Sequence, residues 1–326
     1  MAKVLAEALK CIGRLAPSPT GALHLGNIRT FMIAWLSARS KGGKVVMRME
    51  DLDHPRDKIG AADAIYSDLR WLGFDWDELF VQSKRRDIYR QALKSLDSLV
   101  YPCVCSRKDV ESAQSAPHQG EQLYYPGTCR ERFRSWDEAY EFKKAKDGSL
   151  PCWRFRVDEN TVVGFDDKFC GYCEFNVSKM LGDFPLARDI DGAGYTFACT
   201  VDDILMGVTE VVRADDLLNV TPAQILISNA LKAKGPSYCH VPLVIGRDGR
   251  RLAKRHGDTR IERFRAEGVR VEQIIGYLGY TCGWCQPGEE LSLEKLIPRF
   301  SLASIPKERV VCLASEEKDF FNTYRR

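Results

Sequence analysis

No stretch of this 326-residue sequence approaches the apolar run needed to span a bilayer. There is no internal repeat and no low-complexity segment, which excludes solenoids and fibrous chains. The N-terminal stretch MAKVLAEALKCIGRL is apolar at helical spacing. It lacks the sustained apolar core and small-residue cleavage site of a signal peptide, so it is read as mature protein. Charge of one sign is also scarce in excess: the net formal charge is only +3. What is present is ordinary for a soluble globular protein, with 44% apolar and 29% charged residues. The length allows one large domain with an insertion, or two domains. Twelve cysteines are plentiful, but a chain of this size does not need disulfides. Their spacing, one C-x-C and two C-x-x-C pairs, suits metal binding or idle thiols in a reducing cytosol, and a cytoplasmic protein is expected.

Charge is distributed unevenly. Arg247 to Arg265 holds eight Lys/Arg against three Asp/Glu, a composition that suits nucleotide phosphates or a nucleic-acid backbone. Upstream, residues 11–100 alternate between strand and helix patterns. CIGRLAP is broken by Pro17-Ser18-Pro19-Thr20-Gly21, a helix is predicted from Ile28 to Ser40, and KVVMRME (44–50) reads as a strand. Helices over 61–72 and 84–99 complete half of a doubly wound sheet. From Tyr101 to Met180 cysteines, glycines and short strand-like runs (PCWRFRV, TVVGF) replace the alternation, which marks an insertion. The alternation resumes with GYTFACTVDD (194–203), TEVVRADDL (209–217), a helix near 222–234 and VPLVIG (241–246). The expected fold class is therefore α/β, with boundaries at 1–100, 101–180, 181–260 and a helical region over 261–326.

Two segments carry phosphate chemistry. Arg14 to Asn27, RLAPSPTGALHLGN, reads as a strand, a proline-stiffened turn and a loop feeding a helix N-terminus, where backbone N–H groups and the helix dipole favour an anion. Gly26 allows close approach of the backbone, and His24 can donate to a phosphoryl oxygen. The second, Arg250-Arg251-Leu252-Ala253-Lys254-Arg255, puts a lysine on a basic loop, where it can neutralise charge developing on phosphorus. Together they resemble the HIGH and KMSKS signature pair of class I aminoacyl-tRNA synthetases, here His24-Leu25-Gly26-Asn27 and Arg251-Leu252-Ala253-Lys254-Arg255. Arg14 to Thr30 and MRMEDLD (47–53) look like the glutamyl/glutaminyl branch. Asn27 stands where the motif has its second histidine, and Ala253 where it has serine.

The resemblance implies a Rossmann-type class I catalytic domain, a doubly wound parallel sheet with an inserted zinc-containing subdomain. It implies His24, Asn27 and Lys254 as catalytic residues, with His24, Gly26 and Lys254 on ATP and its Mg2+. A glutamate pocket must hold two carboxylates and one ammonium, so two arginines and one carboxylate are its minimal complement. The resemblance supplies Arg14, Ala16, Ser18, Glu50, Tyr195 and Arg213. Glu50 is assigned to the ammonium and the two arginines share the carboxylates, leaving open which takes which. Cys103-x-Cys105 and Cys129 look like three ligands of a structural zinc. The resemblance to glutamyl-Q tRNA(Asp) synthetases points to Tyr125 as the fourth, with His118 the chemically more usual rival. For Cys170/Cys173 and Cys282/Cys285 it offers no metal.

The stretch after Lys254 is too short for a helical anticodon-binding region with its connecting helices. The expected activity is that of the glutamyl-Q branch: glutamate is activated without tRNA and passed to the queuosine base at the wobble position of tRNA(Asp). The protein is expected to act as a monomer on the anticodon stem-loop. The alternatives are a truncated glutamyl-tRNA synthetase charging a tRNA 3′ end and a catalytically silent RNA-binding module.

Overall fold

The computed structural model describes residues 11–52, 59–113, 124–188, 192–246, 248–250, 252 and 259–312. The first half opens with β1 (Ile12–Leu15), α1 (Leu25–Arg39), β2 (Lys44–Met49), α2 (Ala61–Trp71), β3 (Glu78–Val81) and α3 (Arg86–Ser95). β1, β2 and β3 pair in parallel. β2 is valine- and methionine-rich and buried at every position after Lys44, as a strand covered on both faces must be. Gly43 immediately precedes it because a Cβ there would lie 2.2 Å from the Cys11 carbonyl oxygen, with which Lys44 N–H pairs at 2.8 Å. The single helix expected over 84–99 is three pieces: α3 flanked by 3-10 turns at Gln82–Arg85 and Asp97–Leu99.

Next come β4 (Val100–Cys103), α4 (Arg107–Ala113), α5 (Trp136–Asp147), β5 (Cys152–Phe155), β6 (Val162–Asp167), β7 (Gly171–Asn176), α6 (Val177–Met180) and β8 (Pro185–Ala187). β4, β5 and β8 form a separate antiparallel sheet, pinned to α5 by the stacked rings of Trp136 and Trp153, 4.8 Å apart. The hairpin β6–β7 behaves differently. It falls within the 101–180 segment, yet it joins α7 (Tyr195–Leu205), β9 (Glu210–Ala214), α8 (Thr221–Ala230) and β10 (Ser237–Val241) as part of a sheet of order β7-β6-β10-β9. β6, β10 and β9 run parallel, and only β7 is antiparallel. β1 abuts β9, where Thr209 N–H donates to the Ile12 carbonyl at 2.9 Å. The two parallel sheets thus meet edge to edge, and chain direction diverges on either side of that seam. Open α/β sheets bind ligands at such a switch point, beyond the carboxyl ends of the strands.

The last described elements are β11 (Val244–Ile245), α9 (Ile261–Ala266), α10 (Val271–Tyr280), α11 (Leu293–Leu296) and β12 (Val310–Val311). The last helices share one core with α1: Leu25, Ile28 and Met32 cluster with Ile274, Ile275, Leu278 and Cys282. Arg29 is fully buried at that junction and donates to the carbonyls of Pro242 (2.9 Å) and Thr281 (3.3 Å). No described helix is long and apolar enough to cross a membrane.

Candidate active site

A cleft of about 430 Å³ opens at the β1–β9 seam. Arg14, Ala16, Ser18, His24, Gly26, Asn27, Glu50, Tyr195 and Arg213 all line it, so nine of the ten residues expected at the catalytic site converge there. The tenth, Lys254, lies outside the described residues. Its flanks are placed: Leu252 N–H donates to the Val244 carbonyl at 3.3 Å, and the Thr259 carbonyl accepts from Leu25 N–H at 3.2 Å, one residue from His24.

His24 caps α1. The Asn27 backbone N–H donates to His24 Nδ1 (3.4 Å), and the His24 backbone N–H donates to Asn27 Oδ1 (3.2 Å), a reciprocal capping box. Because Nδ1 accepts, the ring proton sits on Nε2. Asn27 therefore both closes the helix terminus through its oxygen and keeps its amide N–H donors. Gly26 suits this geometry, since a Cβ would lie 3.2 Å from the His24 ring and 3.3 Å from Val244, a tight fit that would push on both side chains.

The other end of the cleft is charged. Glu50 directly follows β2, and its backbone N–H is held by the Pro17 carbonyl at 2.9 Å. Its Oε1 takes donors from Arg48 (Nη2 at 3.1 Å, Nε at 3.3 Å) and from the buried Cys199 thiol at 3.0 Å. Oε2 has no partner among the described residues and is left for a ligand. Burial raises the Cys199 thiol's pKa well above its usual value, with the Glu50 charge adding to it, so the thiol remains a neutral donor. Arg48 is fully buried between Glu50 and Asp203, to which its Nη1 donates at 2.6 Å. Burial opposes its charge, but Asp203 and Glu50 raise its pKa well above the ordinary value. Arg48→Met would leave Glu50 buried without its cation and Asp203 with Arg14 alone, a cost of about 3–5 kcal/mol. The thermal midpoint should fall by roughly 5–15 °C, and an unchanged midpoint would show that Arg48 is not their counter-ion.

Arg14 and Arg213 are both buried, 7% and 4% exposed. Arg14 donates to the Val212 carbonyl at 3.1 Å and sits 3.7 Å from Asp203 through Nε, which has no hydrogen-bond partner. Arg213 has no carboxylate partner among the described residues. Its Nε donates to His240 Nε2 (2.9 Å) and its Nη2 to Thr221 Oγ1 (2.8 Å), which leaves Nη1 uncommitted. Burial lowers its pKa from the ordinary value, with the like charge of Arg14 contributing. Two buried cations facing a cleft beside one half-used carboxylate form a receptor for a small molecule bearing two negative groups and one positive. Asp167, Asp203, Arg48, Cys199, Thr221 and His240 do not emerge from the sequence. Arg48 lies within the MRMEDLD run but carries no assigned role there; the others are single residues on β6, α7, α8 and β10 that only the tertiary packing brings to the site.

In the inserted segment, Cys103, Cys105 and Cys129 bring three Sγ atoms within 4.8 Å of one another. Tyr125 Oη lies 3.2 Å from Cys103 Sγ and 3.6 Å from Cys105 Sγ. The Cys129 backbone N–H, donating at 2.9 Å, fixes the phenol there. The Arg154 guanidinium covers the Tyr125 ring at 3.7 Å. Hydrogen bonds from Cys105, Cys129 and Cys152 pull the Cys103 thiol well below its usual range, while the same bond with Cys103 pushes Cys105 up. Three sulfurs this close could hold a metal ion, with the phenolic oxygen beside them as a further donor. His118 lies outside the described residues. Cys152, opposite Cys103 across β4 and β5, is a neighbour that the spacing does not reveal.

Residues 10–305 match the family described as tRNA synthetases class I (E and Q), catalytic domain. The chain is 43% identical over 311 residues to the glutamyl-Q tRNA(Asp) synthetase of Symbiobacterium thermophilum, covering 91% of this chain and 94% of that one. It is 40% identical over 298 residues to the glutamate–tRNA ligase of Aquifex aeolicus, covering 90% of this chain and 62% of that one. The crystal structure of a glutamate tRNA ligase from Elizabethkingia meningosepticum shares the fold, with a TM-score of 0.78 at 24% identity over 96% of this chain and 69% of that one. With His24, Gly26 and Asn27 of the first signature motif in one cleft and the family match running through nearly all of the described fold, this chain belongs to the class I tRNA synthetases of the E and Q family and is a ligase.

Proposed function

We propose that the chain activates glutamate with ATP, without requiring tRNA, and transfers it to the queuosine base at the wobble position of tRNA(Asp). The observation that carries the amino-acid assignment is the pair of buried guanidiniums, Arg14 and Arg213, lining the same cleft as the unpartnered Oε2 of Glu50. Glu50 Oε2 receives the ammonium, the two arginines take the two carboxylates, and the Tyr195 hydroxyl closes the open side. A carboxylate oxygen then attacks the α-phosphorus of Mg-ATP. The new P–O bond forms as the bond to the bridging oxygen breaks, and pyrophosphate leaves. His24 donates from Nε2 to a phosphoryl oxygen, Asn27 donates from its amide, and Lys254 supplies positive charge. No protein nucleophile enters, so the chain works by positioning and by electrostatic stabilisation. In the second step a hydroxyl of the modified nucleoside attacks the adenylate carbonyl carbon, forming an ester and releasing AMP.

Support for this acceptor comes from the extended identity to relatives named glutamyl-Q tRNA(Asp) synthetases. A zinc ion held by Cys103, Cys105, Cys129 and Tyr125 would supply structural closure of the inserted segment and no chemistry. Glutamate-dependent ATP–pyrophosphate exchange, run with and without tRNA, tests the reading. Exchange without tRNA, and labelled glutamate appearing on tRNA(Asp) only when queuosine is present, are expected. Exchange that needs tRNA would favour 3′-end charging, and none in either condition would leave an RNA-binding module.

A further inference from the structure

Arg213 is held by a device that reaches back into the inserted segment. β9 and β10 pair so that His240 is in register with Arg213, while β10 meets β6 with Tyr238 opposite Asp167. The fully buried His240 side chain lies between the two charges. Its Nδ1 is 2.6 Å from Asp167 Oδ2, and its Nε2 accepts from Arg213 Nε at 2.9 Å. An arginine Nε–H can only donate, so His240 Nε2 must carry a lone pair and the ring proton must be on Nδ1. The Thr221 hydroxyl, 3.1 Å from Nε2, completes the cluster and accepts from Arg213 Nη2.

Asp167 enforces that arrangement. Its Oδ1 is engaged by the backbone N–H groups of Phe169 (2.9 Å), Cys170 (2.9 Å) and His240 (3.1 Å). Oδ2 is thereby turned towards the ring. The bond to the His240 ring, together with the backbone N–H groups, holds Asp167 as a carboxylate well below its usual range, and burial beside Arg213 holds His240 below its own. The imidazole therefore stays neutral, a pure acceptor towards Arg213 and a pure donor towards Asp167.

We propose that Asp167 and His240 are positioning residues for substrate binding. In this assignment Asp167, from the β6–β7 hairpin, locks the His240 tautomer, and His240 in turn fixes the Arg213 guanidinium so that Nη1 faces the substrate carboxylate. This rests on Arg213 being a glutamate ligand.

Three substitutions separate this role from simple packing. His240→Gln can keep an acceptor near the Nε2 position and lose the bond to Asp167. His240→Asn can keep a donor near the Nδ1 position and lose the acceptor for Arg213. Asp167→Asn should keep its oxygen on the three backbone N–H groups and turn its NH2 to the ring. That forces the proton onto Nε2, where it opposes the Arg213 donor. In glutamate-dependent exchange, His240→Asn and Asp167→Asn should raise KM for glutamate by about 10- to 100-fold. On the same basis kcat and the KM for ATP should stay within about threefold, and His240→Gln should lie close to the parent protein. If His240→Gln is the more damaged of the two, or KM for glutamate does not move, the proposal is overturned.

A measurement on the unaltered protein does not depend on how any variant folds. Nitrogen-15 NMR of labelled histidine should show His240 protonated on Nδ1 and bare on Nε2, and the reverse pattern would overturn the assignment. Arg213→Ala distinguishes the two levels. Normal exchange in that variant removes the pocket reading itself. Lost exchange there, with His240→Asn and Asp167→Asn unaffected, removes only the positioning role.

Discussion

Arg213→Ala is expected to lower kcat/KM for glutamate in ATP–pyrophosphate exchange by about 10³-fold. Removing one partner of a buried, hydrogen-bonded charge pair costs about 2–5 kcal/mol or more, and each 1.4 kcal/mol is about a factor of ten. The same variant should melt within a few degrees of the parent. Arg213 is buried without a carboxylate partner among the described residues, so its removal strands no opposite charge. His240 Nε2 and the Thr221 hydroxyl are already 3.1 Å apart and can satisfy each other. Arg48 provides the contrast, because it separates two buried carboxylates and its loss is paid in stability. Arg213→Lys should fall between, keeping the charge but not the planar fork that holds His240, Thr221 and the ligand together. Normal exchange by Arg213→Ala would mean that the cleft does not recognise glutamate in this way.

The second large effect is expected at the thiol cluster. Purified protein should carry about one equivalent of zinc, and Cys129→Ser should carry little. Structural zinc sites contribute about 10–16 kcal/mol of apparent binding energy at pH 7 in small zinc-finger peptides. Even a fraction of that should lower the thermal midpoint by about 10 °C or more. The damage should stay local, in the small core of Tyr101, Val104, Val110, Tyr125 and Ala139, which is separate from the core beneath the cleft. Glutamate-dependent exchange should therefore survive, while transfer to tRNA falls. Cys152→Ser is the control: it adjoins Cys103 but lies outside the trio of clustered sulfurs, and it should retain the metal. Full zinc in Cys129→Ser, or none in the parent protein, would refute the ligand set.

Much of the site was legible from residue order because its parts lie next to strand ends and turns, where type and spacing carry the chemistry. Arg14, Ser18, His24 and Gly26 fall in one continuous run, and Glu50 ends a strand recognisable from its valines. The choice between Tyr125 and His118 was open in the sequence. The structure brings Tyr125 Oη to the cysteines, and His118 lies outside the described residues.

Sequence alone determined the strand–loop–helix around His24, the charged complement of the cleft and the cysteine spacing, since each is a local pattern. Only the tertiary structure decided that residues 162–176 join the sheet of β9 and β10, because strand pairing between distant segments leaves no local periodicity. Tertiary packing likewise decided the charge network behind the cleft. Asp167 reaches Arg213 through His240, and Asp203 reaches Glu50 through Arg48. Buried polar side chains are tolerated only where partners complete them, and those partners stand far apart along the chain.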